Sequence, residues 1–286
     1  MKYSRSAPRL SRKGDSIQIK GKGFSVEINA ADGSIISWKV KGAGQLCGLF
    51  EPYFWKPAND SQRRNSYETS LGDWRDAAAG RVVKDVTTAK SRSSVNVSFK
   101  MDLPVGAEYA LSYEINGAGQ ITVTADYTPV ATDIQLMPKF GFHFYVPASC
   151  GLVQWYGRGP WENYPDRKSG YNVGLYQAPI NDFVTDYVVP QDNANRTDVR
   201  WFSLGGLIKV SSEKPFNFRA WPYEESSLEN CGHPYEIPEY GIITVNVDEN
   251  IHGVGGNDAW GARTEPQYTI DGNLPRHFSI VLEPML

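Results

Sequence analysis

Two carboxylates, Glu162 and Asp166, stand four residues apart in the run at 155–167, Trp-Tyr-Gly-Arg-Gly-Pro-Trp-Glu-Asn-Tyr-Pro-Asp-Arg. Two acids close together in a loop could supply a general acid and base, or a nucleophile. The same loop offers them another use. Arg158 and Arg167 flank the pair, and a glycine-rich turn leaves backbone amides open, so both carboxylates are expected to bond amides or guanidinium groups and fix the loop's shape. Trp161 and Tyr164 then read as the aromatic packing of a structural or interdomain joint. Gly157, Gly159 and Pro160 are expected to stop any regular element here. Histidine is the other natural acid–base group near neutral pH. His143, His233, His252 and His277 each stand alone, with no i, i+4 partner on a helix and no third ligand nearby. They read as structural, and no metal site and no cofactor is expected.

A second candidate is Trp260, which follows Gly255, Gly256, Asn257 and Asp258. The glycines let the backbone approach a neighbour closely. Asn257 and Asp258 can bond their own turn and so aim the indole. Its flat apolar face could pack into the core or take the C–H face of a sugar ring, with the N–H as a polar handle. Asn59 and Asp60 form a polar tip after Pro57, and Arg63 and Arg64 read as solvated loop charges.

The segments between these residues are strand-like. Residues 16–20, 24–29 and 34–40 alternate with period two around Gly21, Gly23 and an Ala31-Asp32-Gly33 turn. Val95, Val97, Phe99 and Met101 share a face. So do Ile121, Val123 and Ala125, and so do Phe140, Phe142, Phe144 and Val146, with His143 opposite. Ile243, Val245 and Val247 alternate with Thr244, Asn246 and Asp248. Residues 49–65 read as loop, and 72–80 as one short helix capped by Asp73 and stopped by Gly80. The pattern predicts an all-β chain folded as a large antiparallel β-sandwich. With no linker or repeat, 15–286 is expected to be one domain behind a flexible lead-in at 1–14.

Composition narrows the partners. With 286 residues, 13% aromatic and 21% charged, the chain can bury a large core and is not expected to be disordered. A formal net charge of −3 argues against nucleic acid. The polar N-terminus lacks the apolar stretch of a signal peptide, and no run is long enough to span a membrane. Cys47, Cys150 and Cys231 are odd in number and widely spaced, so at most one disulfide can form within the chain and the compartment is not readable.

The run at 157–167, Gly-Arg-Gly-Pro-Trp-Glu-Asn-Tyr-Pro-Asp-Arg, resembles the Gly-Pro-x-Glu-Asn-Tyr-Pro-Asp-Arg signature in the C-terminal domain, or small chain, of family 2 glycoside hydrolase β-galactosidases. Residues 54–60 are similar to a shortened form of that domain's Trp-Arg-Ala-Pro-Thr-Asp-Asn-Asp block. Residues 187–201 resemble its Tyr-x-x-Pro-Gln-Glu-Asn-Gly-Asn-Arg-Thr-Asp-Val-Arg-Trp block, and 253–261 its Gly-Val-Gly-Gly-Asp-x-Ser-Trp-Gly block. The blocks fall in the family's order. The resemblance implies a supersandwich related to galactose mutarotases, and a β-galactoside or other carbohydrate as ligand. It implies a (β/α)8 catalytic domain, on the same or a partner chain, that carries both glutamates and any metals. It also implies that Trp260 stacks on the aglycone at the active-site mouth, that Gly255, Gly256, Asn257 and Asp258 support it, and that Asn59 and Asp60 lie on a loop facing the active site. In that family the acid/base glutamate follows an asparagine, and this chain has no Asn-Glu pair. Other readings are a free-standing carbohydrate-binding module or a mutarotase-like epimerase using a His and a Glu.

Overall fold

The computed structural model describes residues 6–258 and 260–285. The first five residues of the expected lead-in, Ala259 in the tryptophan loop and Leu286 lie outside the described residues. β1 (Arg9–Lys13), β2 (Ser16–Gly21), β3 (Phe24–Asn29), β4 (Ile35–Val40) and the short β5 (Ala43–Gly44) follow one another in a five-stranded antiparallel meander. β2 and β3 pair Ile17 with Ile28 and Ile19 with Val26, which buries all four on one face. Full burial of such a side chain stabilises by roughly 1.5–3 kcal/mol.

The larger sheet has twelve strands. They are β6 (Glu51–Tyr53), β7 (Val82–Lys90), β8 (Ser94–Leu103), β9 (Ala107–Asn116), β10 (Ile121–Pro129), β11 (Lys139–Pro147), β12 (Leu152–Gly159), β13 (Asn172–Pro179), β14 (Arg196–Leu204), β15 (Ile208–Trp221), β16 (Ile242–Ile251) and β17 (Arg276–Pro284). Its main path runs β13-β12-β14-β15-β17-β10-β9-β8-β7. The sheet forks along β15. Residues 208–211 of that strand pair with β17, and residues 217–221 pair with β16, which in turn carries β11 and β6. The fork curls the sheet so that its branches face each other across the core. Phe142 of β11 stacks on Phe278 of β17 with ring centroids 5.8 Å apart. One hydrophobic cluster extends from Ile17 to Leu282. The fold is all-β, built of curled antiparallel sheets, as the periodicity predicts.

Four local expectations are corrected. The lead-in is not all frayed, because Arg9–Lys13 pairs along its whole length with β2 across a turn in which Gly14 takes φ +57°. β12 runs on through Gly157 to Gly159, so the first part of the 155–167 run is strand. A methyl group at Gly157 would come within 2.7 Å of Val199 Cγ2 and 2.9 Å of its Cα, so glycine here permits close packing and does not break the strand. The helix expected at 72–80 is a single 3-10 turn, Gly72–Trp74, followed by turns, and Asp73 makes no side-chain cap bond. Two helical segments lie just earlier: α1 (Asp60–Arg64), inside the expected loop, and α2 (Tyr67–Leu71), just after it.

Candidate functional site

Helix α1 begins with a capping box. The Asn59 side chain accepts from Gln62 N (2.9 Å), and Gln62 Oε1 accepts from Asn59 N (3.1 Å). The same residues reach across to the loop that carries Trp260. Asn59 Nδ2 donates to Val254 O (2.6 Å), Gln62 Nε2 to Gly253 O (2.9 Å) and Asn65 Nδ2 to Ala262 O (3.3 Å). Arg64 lies 5.1 Å over the Trp260 ring, a cation–π contact. Asn59 therefore ties the helix to the tryptophan loop, and Asp60 accepts from Gln191 Nε2 (2.9 Å).

Trp260 is 80% exposed. The Asp258 carboxylate accepts from the amides of Trp260 (2.7 Å) and Ala262 (3.1 Å), and these two bonds hold its pKa below the usual carboxylate range. Asn257 turns away from this cap and donates to Glu265 (2.8 Å). A methyl group at Gly256 would sit 2.4 Å from Ala262 O, so this glycine lets the two limbs of the loop close on each other. The opposite expectation, a core tryptophan under a loop, does not hold.

Glu162 and Asp166 both anchor backbone. Glu162 Oε1 accepts from Arg167 Nη2 (2.5 Å) and from the Tyr187 hydroxyl, and Oε2 accepts from Ala194 N (2.9 Å). Burial and this carboxylate raise the Tyr187 pKa to about 12. Asp166 Oδ2 accepts from Gly255 N (2.6 Å), which joins the 155–167 run to the tryptophan loop. Arg158 pairs with neither acid. It bonds Asp198 (2.5 Å) and the carbonyl of Tyr171 (2.5 Å). Tyr164 is buried and Trp161 is 65% exposed.

Four segments, at 59–61, 164–167, 187–192 and 254–255, close around a cleft of about 430 Å³. Asn59, Asp60, Tyr164, Asp166, Arg167 and Gly255, singled out from the sequence, all line it. Arg158, Trp161, Glu162, Gly256, Asn257, Asp258 and Trp260 do not. Tyr187, Gln191 and Asp192 in the lining and Lys56 behind it fall inside the blocks at 187–201 and 54–60 without being marked individually, and Arg219 falls outside every block. Residues 191–197 are all buried despite being mostly polar, and nothing in their spacing marks that.

Beneath the cleft lies a buried ionic network. Asp192 is gripped by Arg219 and by Lys56 Nζ (3.2 Å). Arg219 also approaches Glu225 (3.7 Å) and Asp248 (3.6 Å), and Lys139 Nζ bonds Asp248 (2.8 Å). Three cations, Lys56, Lys139 and Arg219, thus face three carboxylates, Asp192, Glu225 and Asp248. Burial alone would raise the Asp192 pKa, but Arg219 and Lys56 outweigh it and hold the group below its ordinary value. Burial lowers the pKa of Lys56 despite Asp192.

The histidines are dispersed. His143 bonds Glu51 (3.1 Å) and stacks on Tyr53, His277 bonds Asp126 (2.7 Å), and His233 meets Glu236 (3.4 Å) at the surface. His252 is buried at the base of the tryptophan loop with Nδ1 2.9 Å from Gly253 O, and burial lowers its pKa to about 4. Among the described residues, no group of three or more His, Cys, Asp or Glu side chains could hold a metal ion. All three cysteines are free. No described helix is long and apolar enough to cross a membrane.

Comparison with known proteins bears on this geometry. The family model described as "Beta galactosidase small chain" matches residues 20–282. A β-galactosidase from Lactobacillus delbrueckii subsp. bulgaricus is 32% identical over 285 residues, covering 98% of this chain and 28% of that protein. One from Priestia megaterium is 30% identical, covering 100% of this chain and again 28% of the relative. The chain thus spans under a third of the length of these relatives. Among solved structures, a galactose 1-epimerase from Lactobacillus acidophilus superimposes with a TM-score of 0.58 at 10% identity, covering 98% of this chain and all of that one, a likeness of fold.

Proposed function

Because the chain belongs to the β-galactosidase small-chain family, we propose that it forms one wall of a retaining β-galactosidase active site and supplies the acceptor side for substrates such as lactose. The two catalytic glutamates belong to a (β/α)8 domain on the same or a partner chain, so this chain by itself cleaves no glycosidic bond. The observation that carries the reading is Trp260. Its indole is 80% exposed and backed by Arg64, and its loop is pinned by bonds from α1, Asp258 and Asp166. A flat aromatic face presented on a fixed loop is open to a partner and loses little freedom when one binds. The flat apolar C–H face of glucose is such a partner. Trp161, also exposed, is assigned to the contact with the catalytic domain, as is common for exposed aromatics at interfaces.

The test is Trp260→Ala in the enzyme that contains both this chain and its catalytic domain. An aromatic contact of this kind contributes about 0.5–1.5 kcal/mol, roughly two- to tenfold in affinity. Formation of the galactosyl-enzyme from a nitrophenyl galactoside depends on the leaving group and not on an acceptor platform. Lactose turnover and transfer to added glucose should therefore fall more than nitrophenyl galactoside hydrolysis. Equal loss on both substrates, with unchanged partitioning between water and glucose, would sink the acceptor role. Turnover of nitrophenyl galactoside by the chain without its catalytic domain, abolished by Glu162→Gln, would sink the division of labour.

A further inference from the structure

Lys56 is completely buried, yet it is not needed as a charge for Asp192 alone, because Arg219 already grips that carboxylate. A buried ion pair contributes little net stability over a well-packed apolar pair, so its bonds must be sought for another effect. Lys56 Nζ donates to Gln62 Oε1 (3.0 Å) and to Pro57 O (3.3 Å), with Asp192 Oδ2 at 3.2 Å. The bond to Gln62 fixes which way that amide faces. With Oε1 accepting from Lys56 and from Asn59 N, Nε2 is left to donate to Gly253 O (2.9 Å). If the amide turned over, an NH2 group would face an ammonium and an oxygen would face a carbonyl.

Gly253 O is the anchor of the tryptophan loop. It accepts from Gln62 Nε2 and Thr264 Oγ1 (3.2 Å), and His252 Nδ1 lies 2.9 Å away. The next two residues are held as well, Val254 by Asn59 and Gly255 by Asp166 and Thr264. The base from which the Trp260 loop departs is thus tied to a line of buried groups running Arg219, Asp192, Lys56, Gln62, Gly253.

We propose that Lys56 is a positioning residue for the Trp260 acceptor platform, acting through the Gln62 amide and touching neither sugar nor reacting atoms. The proposal rests on the acceptor reading above. Its test uses the enzyme containing this chain and its catalytic domain. Partitioning of the galactosyl-enzyme between water and glucose is measured beside kcat and KM for nitrophenyl galactoside, for the parent, Lys56→Met, Lys56→Arg, Gln62→Glu and Trp260→Ala. Lys56→Met is expected to lower glucose transfer two- to tenfold, in the range of Trp260→Ala. Lys56→Arg, which keeps a donor for Gln62, should restore most of it. Combining Lys56→Met with Trp260→Ala should cost no more transfer than Trp260→Ala alone, since both remove the same platform. Gln62→Glu can still accept from Lys56 and cap the helix but cannot donate to Gly253 O. It should lower transfer in the same way, and it keeps the test open if Lys56→Met does not fold. Unchanged transfer in Gln62→Glu, or losses that add to that of Trp260→Ala, would overturn the proposal. Unchanged transfer in Trp260→Ala itself would instead overturn the acceptor reading.

Discussion

Trp161 and Trp260 are exposed, whereas Trp155, six residues before Trp161, is fully buried and donates its Nε1 hydrogen to Arg158 O (3.0 Å). Deleting each should separate the exposed ring from the buried one. Trp155→Ala is expected to cost about 3–5 kcal/mol, and Trp161→Ala less than about 0.5 kcal/mol, by urea denaturation of the chain. At Gly157 a methyl group would meet the Val199 backbone, which cannot swing away as a side chain tip could. Gly157→Ala should therefore destabilise by about 1–3 kcal/mol, and a melting temperature unchanged from the parent would show that β14 yields there. His252 gives a pH dependence with a definite sign. Its pKa falls from 6.5 to about 4 on folding, so the neutral form is the one the fold accepts. Between these two values the unfolded chain binds more protons. Stability from this group is complete above pH 6.5 and is lost as pH falls toward about 4, by about 3 kcal/mol in all. Relative to the parent, His252→Gln should flatten the fall in unfolding free energy across this window; identical slopes would show that His252 titrates normally.

A helix as short as α1 has no independent stability. It exists because its capping box, its buried Gln62 and its bonds to the tryptophan loop fix it from three sides. Asn59 takes part in two of these, capping the helix and bonding Val254 O. Asn59→Ala should cost about 1–2 kcal/mol from the cap. Amide hydrogen exchange should accelerate in residues 253–264 as well as in α1, because the two are one cooperative unit. Faster exchange in α1 alone would mean that the loop is held without the helix.

At the scale of the whole molecule, the fork along β15 makes room for charge inside the sandwich. The polar face of β16, Thr244, Asn246 and Asp248, is fully buried and meets Lys139 and Arg219. Charges there are balanced in number, so removing one partner strands another. Lys139→Met is expected to cost about 3–5 kcal/mol by denaturant unfolding, and the paired Lys139→Met with Asp248→Leu substantially less. Additive losses in the pair would show that the residues act independently. The same interior network reaches Asp192 at the cleft, so the sandwich core and the candidate site are one electrostatic body.

The sequence by itself determined those strands whose side chains alternate regularly, and the identity of the family. Side-chain alternation is a local property of extended backbone, so the faces of β2, β8, β10 and β11 could be read from spacing, and four blocks in order carried the resemblance. The start of α1 is marked in the same local way by the Asn59 and Gln62 box, but the helix is too short to show a period, so spacing alone gives a loop. Tertiary structure alone decided what covers each face. Alternation in β16 tells which residues lie together, not that Lys139 and Arg219 fill the space against the polar ones. The cleft depends on contacts no window of sequence contains: Asp60 meets Gln191 across 131 residues and Asn59 meets Val254 across 195. Whether Trp260 would be buried or exposed rested on those contacts too. Its own residues specify a turn, and only the packing of that turn on α1 and Asp166 leaves the indole facing out.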